Sequence, residues 1–181
     1  WGMKSDYPEL GVNNIFFSGD YPGEFSALFH ELSTPEDPTV YVNITSKVSP
    51  TDVPETGGEN WFVLLNAPRN AGQNWEEETA RSRRAVLSRI EKALGRPVEE
   101  DIAVEETLNP VQIEERSGSI YGSLYGISSN TKTAAFLRHP SWTKRYPGLF
   151  FVGGSVHPGG GMPLALLSGK IAAEAIISRF S

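Results

Sequence analysis

A dense group of glycines near the end of the chain is the sequence feature best suited to chemistry. The run FFVGGSVHPGGGMP places Gly153, Gly154 and Gly159 to Gly161 just ahead of a segment with helical apolar spacing that starts at Pro163. Backbone amides at a helix start lack intrahelical partners and carry partial positive charge. Because glycine has no β-carbon, a ligand oxygen could reach these amides closely. The pattern predicts a site for an anion or a polar carbonyl.

The same glycines would also suit a plain turn between a strand and a helix, and that alternative stays open. A short glycine cluster is more often a turn than a ligand site. The length of this cluster and its flanking prolines, Pro158 and Pro163, favour a ligand.

Other sites built from similar residues do not match. A P-loop would need a glycine where Leu164 stands and a serine or threonine where Ile171 stands. The dinucleotide fingerprint G-x-G-x-x-G, started at Gly159, would end on Leu164. A nucleophile elbow on Ser155 would need a glycine where His157 stands, which argues against a serine hydrolase.

No side chain is identified as catalytic, and no metal site is expected. The three histidines, His30, His139 and His157, lack the spacing of metal ligands. Without cysteine, disulfides and thiolate metal sites are excluded, and a cytoplasmic location is compatible with the composition. A net charge of -6 argues against nucleic acid as a partner.

The elements that must position the glycines indicate an α+β fold with a mixed or antiparallel sheet. β-rich runs predict strands at Val12 to Ser18, Thr39 to Thr45, Asn60 to Ala67 and Asp101 to Leu108, with a short apolar strand from Leu149 to Val152. Helices are predicted over Gly23 to Leu32, over Asn74 to Leu94 with an inner face of Ala80, Leu87, Ile90 and Leu94, over Pro110 to Arg116, and from Pro163 onward. Long loops are predicted from Ser46 to Asn60 and from Gly118 to Gly126.

The final helix has a predicted apolar face of its own. Leucine, isoleucine and alanine recur at helical spacing, at Leu164, Leu167, Ile171, Ala172, Ala175 and Ile176. Small residues at Ser168, Gly169, Ala172 and Ala173 would allow close packing against a further domain outside this chain, and ordinary core packing stays open as the alternative.

The stretch FFVGGSVHPGGGMPLALLSGKIAAE resembles the C-terminal signature of the bacterial phytoene desaturase family, which comprises FAD-dependent carotenoid desaturases. Weaker likenesses lie in NNIFFSGDY, VYVNITSKVSPTDVPETGGENWFVLLNAP, GSIYG and FLRHP, so the resemblance covers most of the chain. It implies an oxidoreductase fragment: residues 1–147 as a substrate-side α+β domain and 148–181 as a strand-helix segment completing an FAD-binding domain.

The resemblance also implies how the glycines would meet FAD. Gly153, Gly154 and Ser155 match the segment beside the ribityl and pyrophosphate groups. The matches to the helix start beside the isoalloxazine ring are Gly160, Gly161, Met162 and Pro163. A helix start at that place would stabilise negative charge on the reduced ring.

The expected partners follow from the same resemblance. They are an N-terminal Rossmann domain absent from this chain and a long apolar polyene held by the substrate-side sheet; peripheral membrane contact and a homo-oligomer are also compatible with it. We expect the chain alone to be inactive and to bind FAD weakly or not at all. Two other readings stay open: a non-catalytic binding module that keeps this fold, and an amine-oxidase-like flavoenzyme.

Overall fold

The computed structural model of the chain describes residues 1–53, 57–124 and 138–180. The chain divides into two compact units, residues 1–112 and residues 113–181. The division expected at residue 147 concerns the domains of a whole enzyme and stays a prediction.

Two small antiparallel sheets build the first unit. Sheet A has the strand order β4-β1-β6, formed by β4 (Glu59–Asn60), β1 (Gly2–Met3) and β6 (Ile102–Val104). Sheet B has the order β2-β3-β5, formed by β2 (Asn13–Phe16), β3 (Val40–Asn43) and β5 (Phe62–Leu65). The expected antiparallel α+β architecture is therefore confirmed for this unit.

Four α-helices accompany the sheets in the described ranges. They are α1 (Tyr21–Ser26), which continues into a π-helical turn (Ala27–Glu31), α2 (Trp75–Leu94), α3 (Pro110–Ser117) and α4 (Met162–Phe180). The boundary between the two units falls within α3.

Helix α2 ends where the sequence predicts. The Asn74 side chain accepts a hydrogen bond from the Glu77 amide at 3.4 Å and caps the first turn. At the other end Gly95 adopts a left-handed conformation with φ of 70°, and its amide donates to the Glu91 carbonyl at 2.8 Å.

The main core lies between α2 and the two sheets. Sheet B turns alternate side chains toward it, and Val40 and Val42 are fully buried there. Ile90 of α2 is also fully buried. The complete cluster of buried residues is Met3, Tyr7, Val40, Val42, Ile44, Trp61, Val86, Leu87, Ile90 and Val98.

Two details of the predicted inner face of α2 need correction. Ala80 is exposed, because the core takes residues of α2 only from Val86 onward and Ala80 lies nearer the helix start. Val86, absent from the predicted face, is buried, whereas Leu87 and Ile90 are buried as predicted.

All the predicted strands are shorter than expected, and two of them differ most. The strand predicted over Asp101 to Leu108 is observed only as β6, because its partner β1 has just two residues with which to form a ladder. The strand predicted over Leu149 to Val152 is reduced to an isolated bridge between Phe150 and Trp142. Within the described ranges, no second partner extends that bridge into a ladder.

The predicted loops are only partly described. The loop from Ser46 to Asn60 contains short 3-10 turns and ends in β4, which the sequence did not reveal, and residues 54–56 lie outside the described ranges. Residues 125 and 126, at the end of the loop predicted over Gly118 to Gly126, also lie outside the described ranges.

The buried carboxylate of Glu59 in β4 connects sheet A to the loop that follows β1. Glu59 is 4% exposed and accepts hydrogen bonds from the Tyr7 amide at 2.9 Å and the Trp61 indole at 2.7 Å. Lys47 lies 2.5 Å from the same carboxylate and neutralises its charge. Burying the charge is tolerated because it is both paired and hydrogen-bonded.

Candidate functional site

The predicted site residues lie in one continuous segment of the second unit. We call residues 153–163 the glycine segment. It precedes α4 directly, and the first α-helical bond joins the Ala165 amide to the Gly161 carbonyl at 2.9 Å. The Met162 and Leu164 amides fall in the first turn, where an α-helix offers them no carbonyl partner, and Pro163 has no N–H.

Three glycines of the segment have backbone conformations that other residues rarely adopt. The φ angles are 127° at Gly153, 137° at Gly159 and 98° at Gly161. A β-carbon placed on Gly153 or Gly161 would meet no atom of the described residues within 4 Å, so these residues leave the space beside both backbones open. The segment therefore presents bare backbone to an open side.

Gly159 differs from the other two glycines because it is packed. It is buried, and a β-carbon there would lie 3.1 Å from the Nε of Arg138. The Arg138 guanidinium group thus lies against the glycine segment and adds positive charge beside it. An anionic ligand would be favoured by this charge and by the helix start together.

The preceding residues 139–142 run antiparallel to the chain that leads into the glycine segment and hold it from one side. The Phe151 amide donates to the Ser141 carbonyl at 2.8 Å, and the His157 amide donates to the His139 carbonyl at 2.8 Å. His157 acts here through its backbone; among the described residues its imidazole has no hydrogen-bond partner. The structure gives that side chain no evident catalytic surroundings.

Helix α4 holds the segment from the other side through its small residues. Ser168 is fully buried, and its hydroxyl oxygen accepts a hydrogen bond from the Gly153 amide at 3.2 Å. A β-carbon on Gly169 would lie 3.6 Å from a methyl group of Val152, which shows how closely the two elements approach. Ala172 is 2% exposed in the same contact face.

The predicted apolar face of α4 is therefore only partly correct. Ala172 is buried and Ile171 and Ala175 are half-buried, as expected, but Leu164, Leu167 and Ile176 are exposed. Small side chains, and not the larger apolar ones, form the contact of α4 with residues 152–153, because they allow the two backbones to approach closely. The larger apolar side chains of α4 face outward in the described part of the chain.

The seven predicted cofactor residues are thus brought together, but they do not share one environment. Gly153, Gly154 and Gly160 are half-buried, whereas Ser155, Gly161, Met162 and Pro163 are exposed. Sequence reasoning gave Arg138 no role, although its position beside Gly159 makes it part of the segment's surroundings. The RHP triplet that contains it is the signal that pointed there.

A second surface of interest lies in the first unit, on the face of sheet B opposite α2. Its exposed apolar side chains are Ile15, Phe17, Phe62 and Leu64, which are 55%, 66%, 61% and 42% exposed. Because successive side chains of a strand alternate, this outer face and the buried inner face belong to the same strands. Exposed apolar patches of this kind mark contact surfaces.

The buried carboxylate of Glu24 holds α1 against residues that flank two strands of sheet B, Thr39 before β3 and Asn66 after β5. Glu24 is 2% exposed and accepts hydrogen bonds from the Thr39 hydroxyl at 2.7 Å, the Thr39 amide at 3.2 Å and the Asn66 amide group at 3.3 Å. Both of its carboxylate oxygens accept hydrogen bonds from neighbouring residues, so we assign Glu24 a structural role and no catalytic one.

Other kinds of site find little support. A shallow cavity of about 270 Å³ beside His139 and Trp142 has only exposed or half-buried lining residues. In residues 1–53, 57–124 and 138–180 there is no cluster of three histidine or acidic side chains that could hold a metal ion. No helix in those ranges is both long and apolar enough to cross a membrane.

Comparison with known proteins matches most of the chain to a flavoprotein family. Residues 11–177 match the family described as flavin containing amine oxidoreductase. A 1-hydroxycarotenoid 3,4-desaturase of Flavobacterium sp. (strain P99-3) is 53% identical over 176 residues, which is 97% of this chain and 36% of the relative.

More distant relatives are 4,4'-diaponeurosporene oxygenases. The protein of Staphylococcus haemolyticus (strain JCSC1435) is 36% identical over 97% of this chain and 35% of its own length. That of Staphylococcus aureus (strain USA300) is 35% identical over 98% of this chain and 36% of its own length. The chain spans about a third of the length of these relatives. The match over residues 11–177 shows that the chain belongs to the flavin containing amine oxidoreductase family.

Proposed function

We propose that this chain works as the C-terminal part of an FAD-dependent oxidoreductase that removes hydrogens from a carotenoid. The observation that carries the proposal is the open backbone of Gly153 and of Gly161, the residue directly before α4, in a chain whose relatives are named as carotenoid desaturases and oxygenases. The rest of the enzyme would supply the dinucleotide-binding half.

The residues present fit a flavin. Gly153 and Gly161 leave open the space that a β-carbon would fill, and the helix start and Arg138 provide positive charge. When bound, the flavin would supply the acceptor for the hydride removed from the substrate. The first-turn amides of α4 would stabilise the negative charge that arises on the reduced ring, without any rearrangement of the chain.

The second hydrogen of the desaturated bond would leave as a proton to water once the hydride has been removed, so no acid or base side chain of this chain is needed. The backbone amides and a fixed guanidinium group provide charge that is already oriented, which is the form of stabilisation that contributes most in enzymes. The outer face of sheet B would contact the hydrocarbon of the polyene, because Ile15, Phe17, Phe62 and Leu64 offer it an apolar surface.

The test uses a complete flavoenzyme, made by joining residues 1–181 to the N-terminal part of the Flavobacterium relative. We call this protein the chimera. Met162→Glu places a carboxylate in the first turn of α4, where 83% of the Met162 surface is exposed. A carboxylate there favours the helix. It should nevertheless weaken flavin binding and make the bound flavin harder to reduce, because it repels the charge on the reduced ring.

Met162→Gln is the matched control, because it changes polarity without adding charge. We expect it to keep flavin content and reduction potential close to those of the unsubstituted chimera. Equal flavin content and equal potential in both variants would overturn the proposed place of the flavin. A chimera that folds but holds no flavin would overturn the oxidoreductase proposal and favour the binding module.

A further inference from the structure

Three polar side chains form a hydrogen-bonded group at one corner of the outer face of sheet B. We call Asn13, Tyr41 and Asn43 the polar corner. The Tyr41 hydroxyl donates to the Asn13 side-chain oxygen at 2.7 Å, and the Asn43 side-chain amide donates to the same oxygen at 2.9 Å. Asn43 also donates to the Val12 carbonyl at 3.1 Å, which braces the group against the backbone.

The polar corner leaves hydrogen-bonding groups unused, among them a donor group on Asn13 and an acceptor on Tyr41. Both lone-pair positions of the Asn13 side-chain oxygen are taken by Tyr41 and Asn43, so its NH₂ group points elsewhere. That NH₂ group has no partner among the described residues. The Tyr41 oxygen donates its proton but retains lone pairs that can accept. An alcohol, which both donates and accepts, matches this pair of groups.

Apolar side chains border the polar corner directly. The strand register pairs Tyr41 with Ile15 on one side and with Leu64 on the other, and it pairs Asn43 with Phe62. Ile15, Leu64 and Phe62 are exposed on the same face. A ligand lying here would therefore meet hydrocarbon along most of its length and hydrogen-bonding groups at one end.

We infer that the polar corner recognises a hydroxyl group at one end of the polyene, an inference that rests on the proposed function. A hydrocarbon end covering the polar corner would strip water from the Asn13 amide and the Tyr41 oxygen and leave them unpaired. Unpaired polar groups are costly, whereas a hydroxyl would restore both hydrogen bonds. The polar corner would thus act in specificity, through binding, and leave the hydrogen removal itself to the flavin.

Tyr41→Phe tests the recognition role, and within the polar corner it removes only the bond from Tyr41 to Asn13. It keeps the ring beside Ile15 and Leu64, and it keeps the bond between Asn43 and Asn13, while it removes the acceptor. Tyr21→Phe is the matched control, because Tyr21 is 52% exposed on α1 and lies outside the polar corner.

The experiment measures competition between two acyclic polyenes that differ only in a terminal hydroxyl group. Both are given together, in detergent micelles, to the flavin-loaded chimera described above, and the two products are separated by chromatography. The ratio of the two kcat/KM values is then compared among the unsubstituted protein, Tyr41→Phe and Tyr21→Phe. Individual kcat and KM values are taken for each polyene alone.

We expect the unsubstituted protein to prefer the hydroxylated polyene by roughly tenfold or more, the range set by leaving buried polar groups unpaired. In Tyr41→Phe the preference should fall at least about fivefold on the same basis. The KM of the hydroxylated polyene should rise because a hydrogen bond is lost, and the KM of the other polyene should fall because no Tyr41 oxygen is left unpaired. Tyr21→Phe should keep the original preference.

The outcomes separate the two proposals. Oxidation of both polyenes with an equal loss in Tyr41→Phe, or with no change in preference, would overturn the role of the polar corner and leave the proposed function standing. Oxidation of neither polyene by the flavin-loaded, unsubstituted protein would overturn the proposed function, and the hydroxyl inference with it.

Discussion

The amide of Gly153 donates a hydrogen bond to the fully buried hydroxyl of Ser168, 3.2 Å away, and so fixes the start of the glycine segment to the second turn of α4. The two residues are fifteen positions apart in the chain. Their bond makes α4 the support of the segment as well as its continuation.

Removing this bond should loosen the segment. We expect Ser168→Ala to lower the free energy of unfolding of the second unit by about 0.5–1.5 kcal/mol, the usual net value of such a bond. Amide hydrogen exchange at Gly153 should speed up in the same variant. Ser178→Ala, an exposed change on the same helix, is the control and should leave both measurements unchanged. Unchanged exchange at Gly153 in Ser168→Ala would contradict the supporting role.

The imidazole of His157 should matter little for catalysis. Its backbone makes the bond to His139, and alanine preserves that bond. In the flavin-loaded chimera we expect His157→Ala to keep flavin content and to change turnover by no more than a few-fold, measured at saturating polyene. Complete loss of turnover with flavin still bound would identify His157 as a catalytic residue.

The core between α2 and sheet B should be sensitive at Ile90. This side chain is fully buried among Val40, Val42 and their neighbours, so Ile90→Ala leaves a cavity. We expect a loss of about 2–5 kcal/mol in the free energy of unfolding of the first unit, by urea titration. Ser88→Ala, on the exposed side of α2, should stay close to the unsubstituted value. A loss below 1 kcal/mol in Ile90→Ala would contradict the described packing.

The pH dependence of stability should reflect the bond between Tyr7 and Asp101. The Tyr7 hydroxyl donates to the Asp101 carboxylate at 2.8 Å. Burial, followed by this bond, raises the pKa of Tyr7 well above its ordinary value of 10.0. The bond from Tyr7 lowers the pKa of Asp101 below its ordinary value of 3.8.

Each shift stabilises the fold in a different pH range. The contribution of Tyr7 is fully present below pH 10.0 and is lost as pH rises through the raised pKa. The contribution of Asp101 is present above pH 3.8 and is lost as pH falls through the lowered pKa. We expect Tyr7→Phe to flatten the alkaline loss and weaken the acid loss, measured by thermal unfolding across pH. Unaltered curves at both ends would refute this account.

Local sequence patterns predicted the elements that are set by local chemistry. The Asn74 cap and the left-handed Gly95 define α2 from residues within a few positions of its ends. The strands of sheet B were found, though each is shorter than its apolar run. The glycine segment and the helix after it were also evident, because glycine and proline act locally on backbone conformation.

What the sequence missed depends on distant partners. Phe150 lies in a run with clear β character, yet it forms one bridge only, since strand length is decided by the partner and not by the run itself. The inward face of α4 was predicted only in part for a similar reason: close packing was expected at Ser168, but its partner Gly153 could not be read from the local pattern, and Leu167 was wrongly placed inside. The polar corner joins Asn13 to Tyr41 across the sheet, a pairing that only the strand register reveals.

The inward residues of sheet B build the core, and its outward residues form a surface that a ligand can contact. In β3, Val40 and Val42 lie in the core, while Tyr41 and Asn43 lie on the outer face. A substitution on the outer face changes no core contact, so its effect on folding is small, whereas the surface offered to a ligand changes at once. Such a sheet can be altered one outward residue at a time, and ligand preference can diverge in evolution while the fold remains the same.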